Sequence, residues 1–249
     1  MELYALVGKP LAHSFSQKYF REKFFREGIE ADYELWEESS VEEALKHIAE
    51  TPELKGFNIT MPYKKAFLPH LNSMDTSAEL CGNVNCVKVI REDNKVHLRG
   101  YNTDFYGFEN SLAESFDLSA ISTAVILGRG GVSQTIAKVL EKHNISYRIA
   151  SRRMFDDKEH ISYAELDTAL SAYQLIVNAT PLGMHPYENQ MPPINTAKLQ
   201  ASQCVFDLIY NPSQTPLLQE AAARHCPTSN GLRMLKLQAD KAWQIWQNN

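Results

Sequence analysis

Apolar and polar residues follow two rhythms along this chain, and the two rhythms take turns. Glu2 to Gly8 (ELYALVG) alternates in part and predicts a first strand. Ser16 to Gly28 (SQKYFREKFFREG) carries aromatics at helical spacing, opens on a serine and stops at a glycine. Asp32 to Glu37 predicts a second strand, Ser40 to Glu50 a second helix and Leu54 to Thr60 a third strand. Ser40, with Glu43 three residues on, has the form of a capping box. VNCVKVIRE and KVHLRG predict a strand pair around the turn Glu92-Asp93-Asn94, and a helix is expected after Tyr101 to Gly107. Val125-Ile126-Leu127 then opens a second series. A helix is expected over Ser133 to Lys142, with strands near Tyr147 to Ala150, Leu175 to Asn178 and Val205 to Leu208. A last amphipathic helix, Met234 to Trp246, is placed to cross back to the first half. The repeated strand–helix order predicts an α/β protein with parallel sheets covered by helices and a boundary near residue 105.

Composition narrows the function classes. At 249 residues, 44% hydrophobic and 22% charged, the chain is long enough for two modest domains of a soluble globular protein. A net charge of −5 with interspersed signs disfavours nucleic acid as a partner. No apolar run reaches membrane-spanning length, and Met1-Glu2-Leu3-Tyr4 has no basic segment before an apolar one. No membrane partner or signal peptide is therefore expected, and a cytoplasmic location is. Cys81, Cys86, Cys204 and Cys226 form no CxxC pair and have no histidine at zinc spacing. They predict free thiols in a reducing compartment and no metal site.

The glycines Gly128, Gly130 and Gly131 lie between a buried-strand run and a helix. Glycine allows a tight turn and close backbone approach to a pyrophosphate, and the following helix offers unpaired N–H groups. Ser133 takes the third glycine position of the dinucleotide pattern, and such turns also join strands to helices for structural reasons alone. The next strand runs into Ser151-Arg152-Arg153, with no acid at its tip. Guanidinium groups grip a 2′-phosphate that a carboxylate would repel, so NADP is favoured over NAD. Two solvated arginines are the plain alternative, and Asp156 and Asp157 just beyond weigh on its side.

The first hundred residues carry a different chemistry. Ser14 and Ser16 stand on a turn that opens a helix, where two hydroxyls and free N–H groups suit a carboxylate; either alone reads as an ordinary cap. Asn58, Thr60 and Lys64 stand at a strand end and the turn beyond it, Asn85 follows in GNVNCV, and Asn102, Thr103 and Asp104 stand in GYNTDFYG. An amide-rich set of this kind suits a polyhydroxylated substrate.

Taken in order, these motifs resemble the shikimate dehydrogenase family nearly end to end. They are the turn His13-Ser14-x-Ser16, Asn58-x-Thr60-x-Pro62-x-Lys64, Val84-Asn85, Asn102-Thr103-Asp104-x-x-Gly107, the glycine turn, VNATPLGM, DLIYNPSQTPLL and NGLRMLKLQA. The resemblance implies a substrate-binding domain over 1–105 with 230–249, and a Rossmann-like NADP-binding domain over 106–229. It implies NADPH-dependent, reversible reduction of 3-dehydroshikimate to shikimate by a monomer or homodimer. It implies Lys64 and Asp104 as the catalytic pair, and Ser14 and Ser16 on the substrate carboxylate. Asn58, Thr60, Asn85 and Gln238 would meet the ring hydroxyls or wall. Gly128, Arg129, Gly130, Gly131, Val132, Ser151, Arg152, Arg153, Thr180, Leu208 and Gly231 would meet the cofactor. Lys65 reads as a solvated neighbour. Arg129 and Arg233 depart from the family's small residues, and Arg153 takes the part of a second basic residue that would otherwise fall near Asp156. A quinate/shikimate dehydrogenase using NAD and a non-catalytic dinucleotide-responsive module are the rival readings. The arginine pair and the two serines weigh against the first, and the intact catalytic positions against the second.

Overall fold

In β1 (Glu2–Val7) the side chains alternate between two apolar clusters. Tyr4 and Leu6 join Phe20, Phe24, Tyr33 and Trp246, whereas Ala5 and Val7 join Trp36, Ala44, Ile48 and Phe57. A strand that is apolar on both faces has to be covered on both. α1 (Ser16–Glu27) supplies Phe20 and Phe24 to the first cluster, and α2 (Val41–Glu50) supplies Val41, Ala44 and Ile48 to the second. The computed structural model describes residues 1–12, 14–93, 95–153 and 155–248. His13 and Asn94, singled out in the serine turn and the hairpin turn, lie outside the described residues.

The capping box expected at α2 forms by half. Ser40 Oγ accepts from the Glu43 N–H at 3.2 Å, but the Glu43 carboxylate turns to Ser39, where it finds both a backbone N–H (3.1 Å) and a hydroxyl (2.5 Å). Two donors on one residue outcompete the single N–H of Ser40.

The first sheet adds β2 (Ala31–Trp36), β3 (Leu54–Ile59), β4 (Ser73–Met74), β5 (Cys86–Glu92) and β6 (Lys95–Tyr101), in the order β2-β1-β3-β5-β6-β4. β1 is parallel to β2 and β3, but β5 is antiparallel to both β3 and β6. This sheet is therefore mixed: the strand–helix series supplies its parallel part and the expected strand pair its antiparallel part. Beyond Asn85 the chain returns through a hairpin that pairs Cys86 with Tyr101 and Glu92 with Lys95, and a hairpin needs no covering crossover helix. α3 (Thr76–Cys81) follows β4 and is capped by Asp75, whose carboxylate accepts from the Ala78 N–H.

The second sheet holds β7 (Thr123–Leu127), β8 (Ser146–Ala150), β9 (His160–Ile161), β10 (Leu175–Asn178), β11 (Cys204–Asp207) and β12 (Thr228–Asn230), all parallel. Its order is β12-β11-β10-β7-β8-β9. Counted from β7 and read from β9 to β12, this is 3-2-1-4-5-6, the doubly wound dinucleotide order, with its switch point between β7 and β10. α4 (Thr103–Ser115), α5 (Gly131–Lys142), α6 (Tyr163–Ala169), α7 (Pro216–Ala223) and α8 (Leu232–Gln247) complete the helices named here. α4 starts within the stretch expected to precede it, and α5 and α8 each start two residues earlier than their apolar pattern.

The chain divides into two compact units, Met1–Thr103 with the segment from Gln238 onward, and Asp104–Leu237. The division falls inside α4 and α8 rather than after residue 105 and at residue 230. Asp104 thus opens the second unit, and the start of α8 belongs with it. The tail of α8 belongs to the first unit. There Trp246 stacks on Tyr4 at 4.8 Å between ring centroids and donates its indole N–H to the Val87 carbonyl at 3.0 Å. Burying such an aromatic on a strand stabilises the unit by about 3 kcal/mol. Among the described residues no helix is long and apolar enough to cross a membrane.

Candidate active site

In the first unit, β1 and β3 end side by side: the Thr60 N–H donates to the Val7 carbonyl and the Lys9 N–H to the Met61 carbonyl, both at 2.9 Å. Ligands of parallel sheets gather beyond such carboxyl ends. Ser14 and Ser16 follow β1, both half-buried. The N-cap position of α1 is Phe15, and Ser14 Oγ accepts from the Ser16 N–H at 3.2 Å, so neither serine serves as an ordinary cap. Asn58, on β3, donates its amide N–H to the Asn85 carbonyl at 3.1 Å. Asn85 is 3% exposed and joins several elements. Its Oδ1 accepts from the Thr103 N–H at 2.6 Å, and its Nδ2 donates to Thr103 Oγ1 at 3.1 Å and to Gln238 Oε1 at 3.3 Å. Asn58, Asn85 and Gln238, 180 residues apart at their extremes along the chain, therefore form one hydrogen-bonded set. Thr60 stands half-buried at the end of β3.

Lys64 lies in the turn beyond β3, half-buried, while Lys65 is exposed. The Lys64 carbonyl accepts from the Val84 N–H at 2.9 Å, which ties Lys64 to one side of the Val84-Asn85 pair while Thr103 is tied to the other. Asp104, next in the chain, is 5% exposed and stands in the first turn of α4, at the positive end of the helix dipole.

In the second unit, the turn after β7 lies at the switch point. Gly128 has φ +100, and a Cβ there would meet Thr180 Cγ2 at 2.8 Å, so glycine is required both by the backbone and by the close approach of the segment after β10. Thr180 is held by Asn178, whose Oδ1 accepts from the Thr180 N–H and hydroxyl. Gly130 and Gly131 differ from Gly128: a Cβ on either would meet no protein atom within 4 Å. Gly130 is the N-cap of α5 and has no side chain with which to cap the first turn, where Gly131 and Val132 stand. The turn therefore leaves room and backbone N–H groups for an anion, and the residues present fit the pyrophosphate of a dinucleotide. Gly231 is fixed by packing, because a Cβ there would lie 1.9 Å from the Leu208 carbonyl oxygen.

Arg129 reaches away from the turn. Its guanidinium meets Asp157 at 2.6 Å and lies 4.3 Å from the centroid of the Phe155 ring. The cation beside Asp157 holds that carboxyl below the ordinary aspartate range. Asp157 thus engages Arg129, while Arg152 and Arg153 stand exposed just after β8 with Ser151 half-buried before them. Arg233 makes a bidentate pair with Glu114 of α4 at 2.5 and 2.8 Å.

Two buried residues of these sites escaped the sequence reading. Tyr33, fully buried on β2, donates its hydroxyl hydrogen to Asn58 Oδ1 at 2.9 Å, and burial pushes its phenol well above the usual tyrosine range. Asp207, at the end of β11, accepts from Asn178 Nδ2 and the Ile209 N–H, both at 3.0 Å, and from the Thr215 hydroxyl at 2.6 Å. Burial raises its carboxyl, against the pull of those donors. An acidic residue after an apolar strand was the available signal for Asp207; a strand tyrosine gave none for Tyr33. The four cysteines are free. Among the described residues no group of three or more His, Cys, Asp or Glu is placed to hold a metal.

A 3-2-1-4-5-6 sheet with a glycine turn at its switch point and arginines after the second strand places the second unit among the dinucleotide-binding α/β folds of oxidoreductases. Residues 6–87 match the family model of the shikimate dehydrogenase substrate binding domain. The chain belongs to the shikimate dehydrogenase family. It is 34% identical to the shikimate dehydrogenase (NADP(+)) of Methanocaldococcus jannaschii, over 97% of this chain and 89% of that one. The Thermus thermophilus shikimate 5-dehydrogenase structure, in complex with NADP(H) and shikimate, superposes with a TM-score of 0.84 at 27% identity, over 99% of this chain and 94% of that one. A Corynebacterium glutamicum quinate dehydrogenase in complex with NAD gives 0.86 at 26% identity, over 99% and 93%.

Proposed function

We propose that this chain catalyses the reversible, NADPH-dependent reduction of 3-dehydroshikimate to shikimate, a step toward chorismate and the aromatic amino acids. The observation that carries the reading is the set joined at Asn85. Asn85 accepts from Asn58 on its main-chain carbonyl, and its buried side-chain amide holds Thr103 at the start of α4 and Gln238 of α8. In this reading Ser14 and Ser16 hold the substrate carboxylate, and Asn58, Thr60, Asn85 and Gln238 read the ring hydroxyls or wall the ring. NADPH, when bound, supplies the hydride. Reduction of the ketone leaves an alkoxide at the ring carbon, and the Lys64 ammonium donates the proton that neutralises it. Asp104 is the second member of the catalytic pair in this reading. A positioned acid such as the Lys64 ammonium contributes about 10²–10⁴-fold. It also opposes the negative charge as it develops.

The backbone of Gly128, Gly130, Gly131 and Val132 would hold the pyrophosphate, and Thr180, Leu208 and Gly231 would stand along the cofactor. Ser151, Arg152 and Arg153 would read the 2′-phosphate, which favours NADP over the NAD of the quinate enzyme. Arg129 acts beside them rather than on the pyrophosphate, which its engagement with Asp157 and Phe155 supports. The reading carries with it a cytoplasmic monomer or homodimer with no nucleic-acid or membrane partner. The acidic net charge of −5 supports the absence of a nucleic-acid partner.

The test is a paired assay of the purified chain: shikimate and quinate, each with NADP and NAD, followed by reduced-cofactor absorbance. Turnover of shikimate with NADP well above the other three combinations is expected. Background rates in all four would overturn the reading, and a preference for quinate with NAD would replace it with the quinate dehydrogenase reading.

A further inference from the structure

We propose that Tyr33 is the positioning residue that orients the amide of Asn58 among the hydroxyl-reading asparagines, so that substrate affinity depends on its hydroxyl. The inference rests on the function proposed above, and deepens it by adding a residue that makes no contact with substrate.

Tyr33 is held at two points by the start of α1. Its ring stacks on Phe20 with centroids 4.5 Å apart and planes 10° from parallel, and its carbonyl accepts from Gln17 Nε2 at 3.0 Å. Its hydroxyl donates to Asn58 Oδ1 at 2.9 Å, and Asn58 in turn donates to the Asn85 carbonyl at 3.1 Å. A single line of hydrogen bonds thus runs Tyr33–Asn58–Asn85–Gln238 through the first unit. Tyr33 is its one member with no exposed surface.

The Tyr33 hydroxyl has a job that nothing else in the line performs. It donates to Asn58 Oδ1, which fixes the orientation of that amide and leaves the amide N–H for Asn85. Without it, the amide of Asn58 becomes free to reorient, and the cost falls on binding. The proton step at Lys64 lies on a different branch of the set.

The experiment is Tyr33→Phe in the full chain, with steady-state kinetics for shikimate and for NADP and a melting curve. KM for shikimate is expected to rise about tenfold, with kcat within twofold of wild type and KM for NADP unchanged. Phe20→Leu is the control: it loosens the ring stack but leaves the hydroxyl, and should lower the melting temperature without moving KM for shikimate. Unchanged KM in Tyr33→Phe, a parallel fall in kcat, or the same KM rise in Phe20→Leu would overturn the role of Tyr33. A wild-type chain that does not turn over shikimate would instead overturn the function on which it rests.

Discussion

Thr103 gives its backbone N–H to the Asn85 amide oxygen at 2.6 Å and takes the Asn85 amide N–H on its hydroxyl at 3.1 Å. The two residues are 1% and 3% exposed, so each leaves a dry, unsatisfied group if the other is removed. This exchange fixes where α4 begins.

Asn85→Ala is therefore expected to cost stability and activity together. The first unit should lose about 2–3 kcal/mol, the cost of stranding a buried N–H and losing two further bonds. Urea denaturation measures the first effect and kcat/KM for shikimate the second. A stable variant with wild-type kinetics would show that the exchange positions nothing.

Gly128 and Gly130 should separate backbone need from ligand need. Gly128→Ala meets both a left-handed φ of +100 and Thr180 at 2.8 Å, and should destabilise the fold by more than about 1 kcal/mol. Gly130→Ala meets nothing within 4 Å, so its melting temperature should stay near wild type while KM for NADP rises several-fold. Equal melting losses in the two variants would contradict the distinction.

The Arg129–Asp157 pair gives a pH test with a definite sign. Arg129 depresses the Asp157 carboxyl, so the stabilisation of the pair is fully present above the unfolded aspartate value of about 3.9 and is lost as pH falls through the lower folded value. The melting temperature of Arg129→Ala should lie below wild type at pH 7, and the two should converge as the pH falls below about 4. A gap that stays constant with pH would rule out the ion pair as its source.

Asp207→Ala leaves three donors, from Asn178, Ile209 and Thr215, without their acceptor in a buried place. A loss of about 3 kcal/mol in urea denaturation is expected. A loss under about 1 kcal/mol would mean that water or rearrangement satisfies them.

What the sequence could reveal depended on how local the cause was. The apolar run at Val125 to Leu127, the glycines after it and the Val84–Gly100 strand pair are written in neighbouring residues, and they folded as read. The mixed first sheet was legible only in part: the strand pair announced its antiparallel hairpin, but the βα rhythm up to Asn58 gives no sign that β5 will run against β3. The start of α4 is set by Asn85, eighteen residues upstream, and not by a local pattern. Arg129 could be seen as a departure, but its partner Asp157 becomes visible only when the loop after β8 is placed beside the turn. Tyr33 read as an ordinary strand aromatic, and only the burial of its hydroxyl against Asn58 distinguishes it.

Arg152→Ala should raise KM for NADP at least tenfold and leave KM for NAD within twofold, since a guanidinium on a 2′-phosphate contributes charge-assisted bonds that NAD cannot use. Equal changes for both cofactors would remove Arg152 from the reading of the phosphate.

The most direct test of the proposed chemistry is Lys64→Ala, with kcat for shikimate oxidation measured beside the shikimate dissociation constant. A proton carrier acts in the transition state, so kcat should fall about 10²–10⁴-fold while the dissociation constant moves only a few-fold. A variant that binds shikimate and turns it over at the wild-type rate would contradict the account.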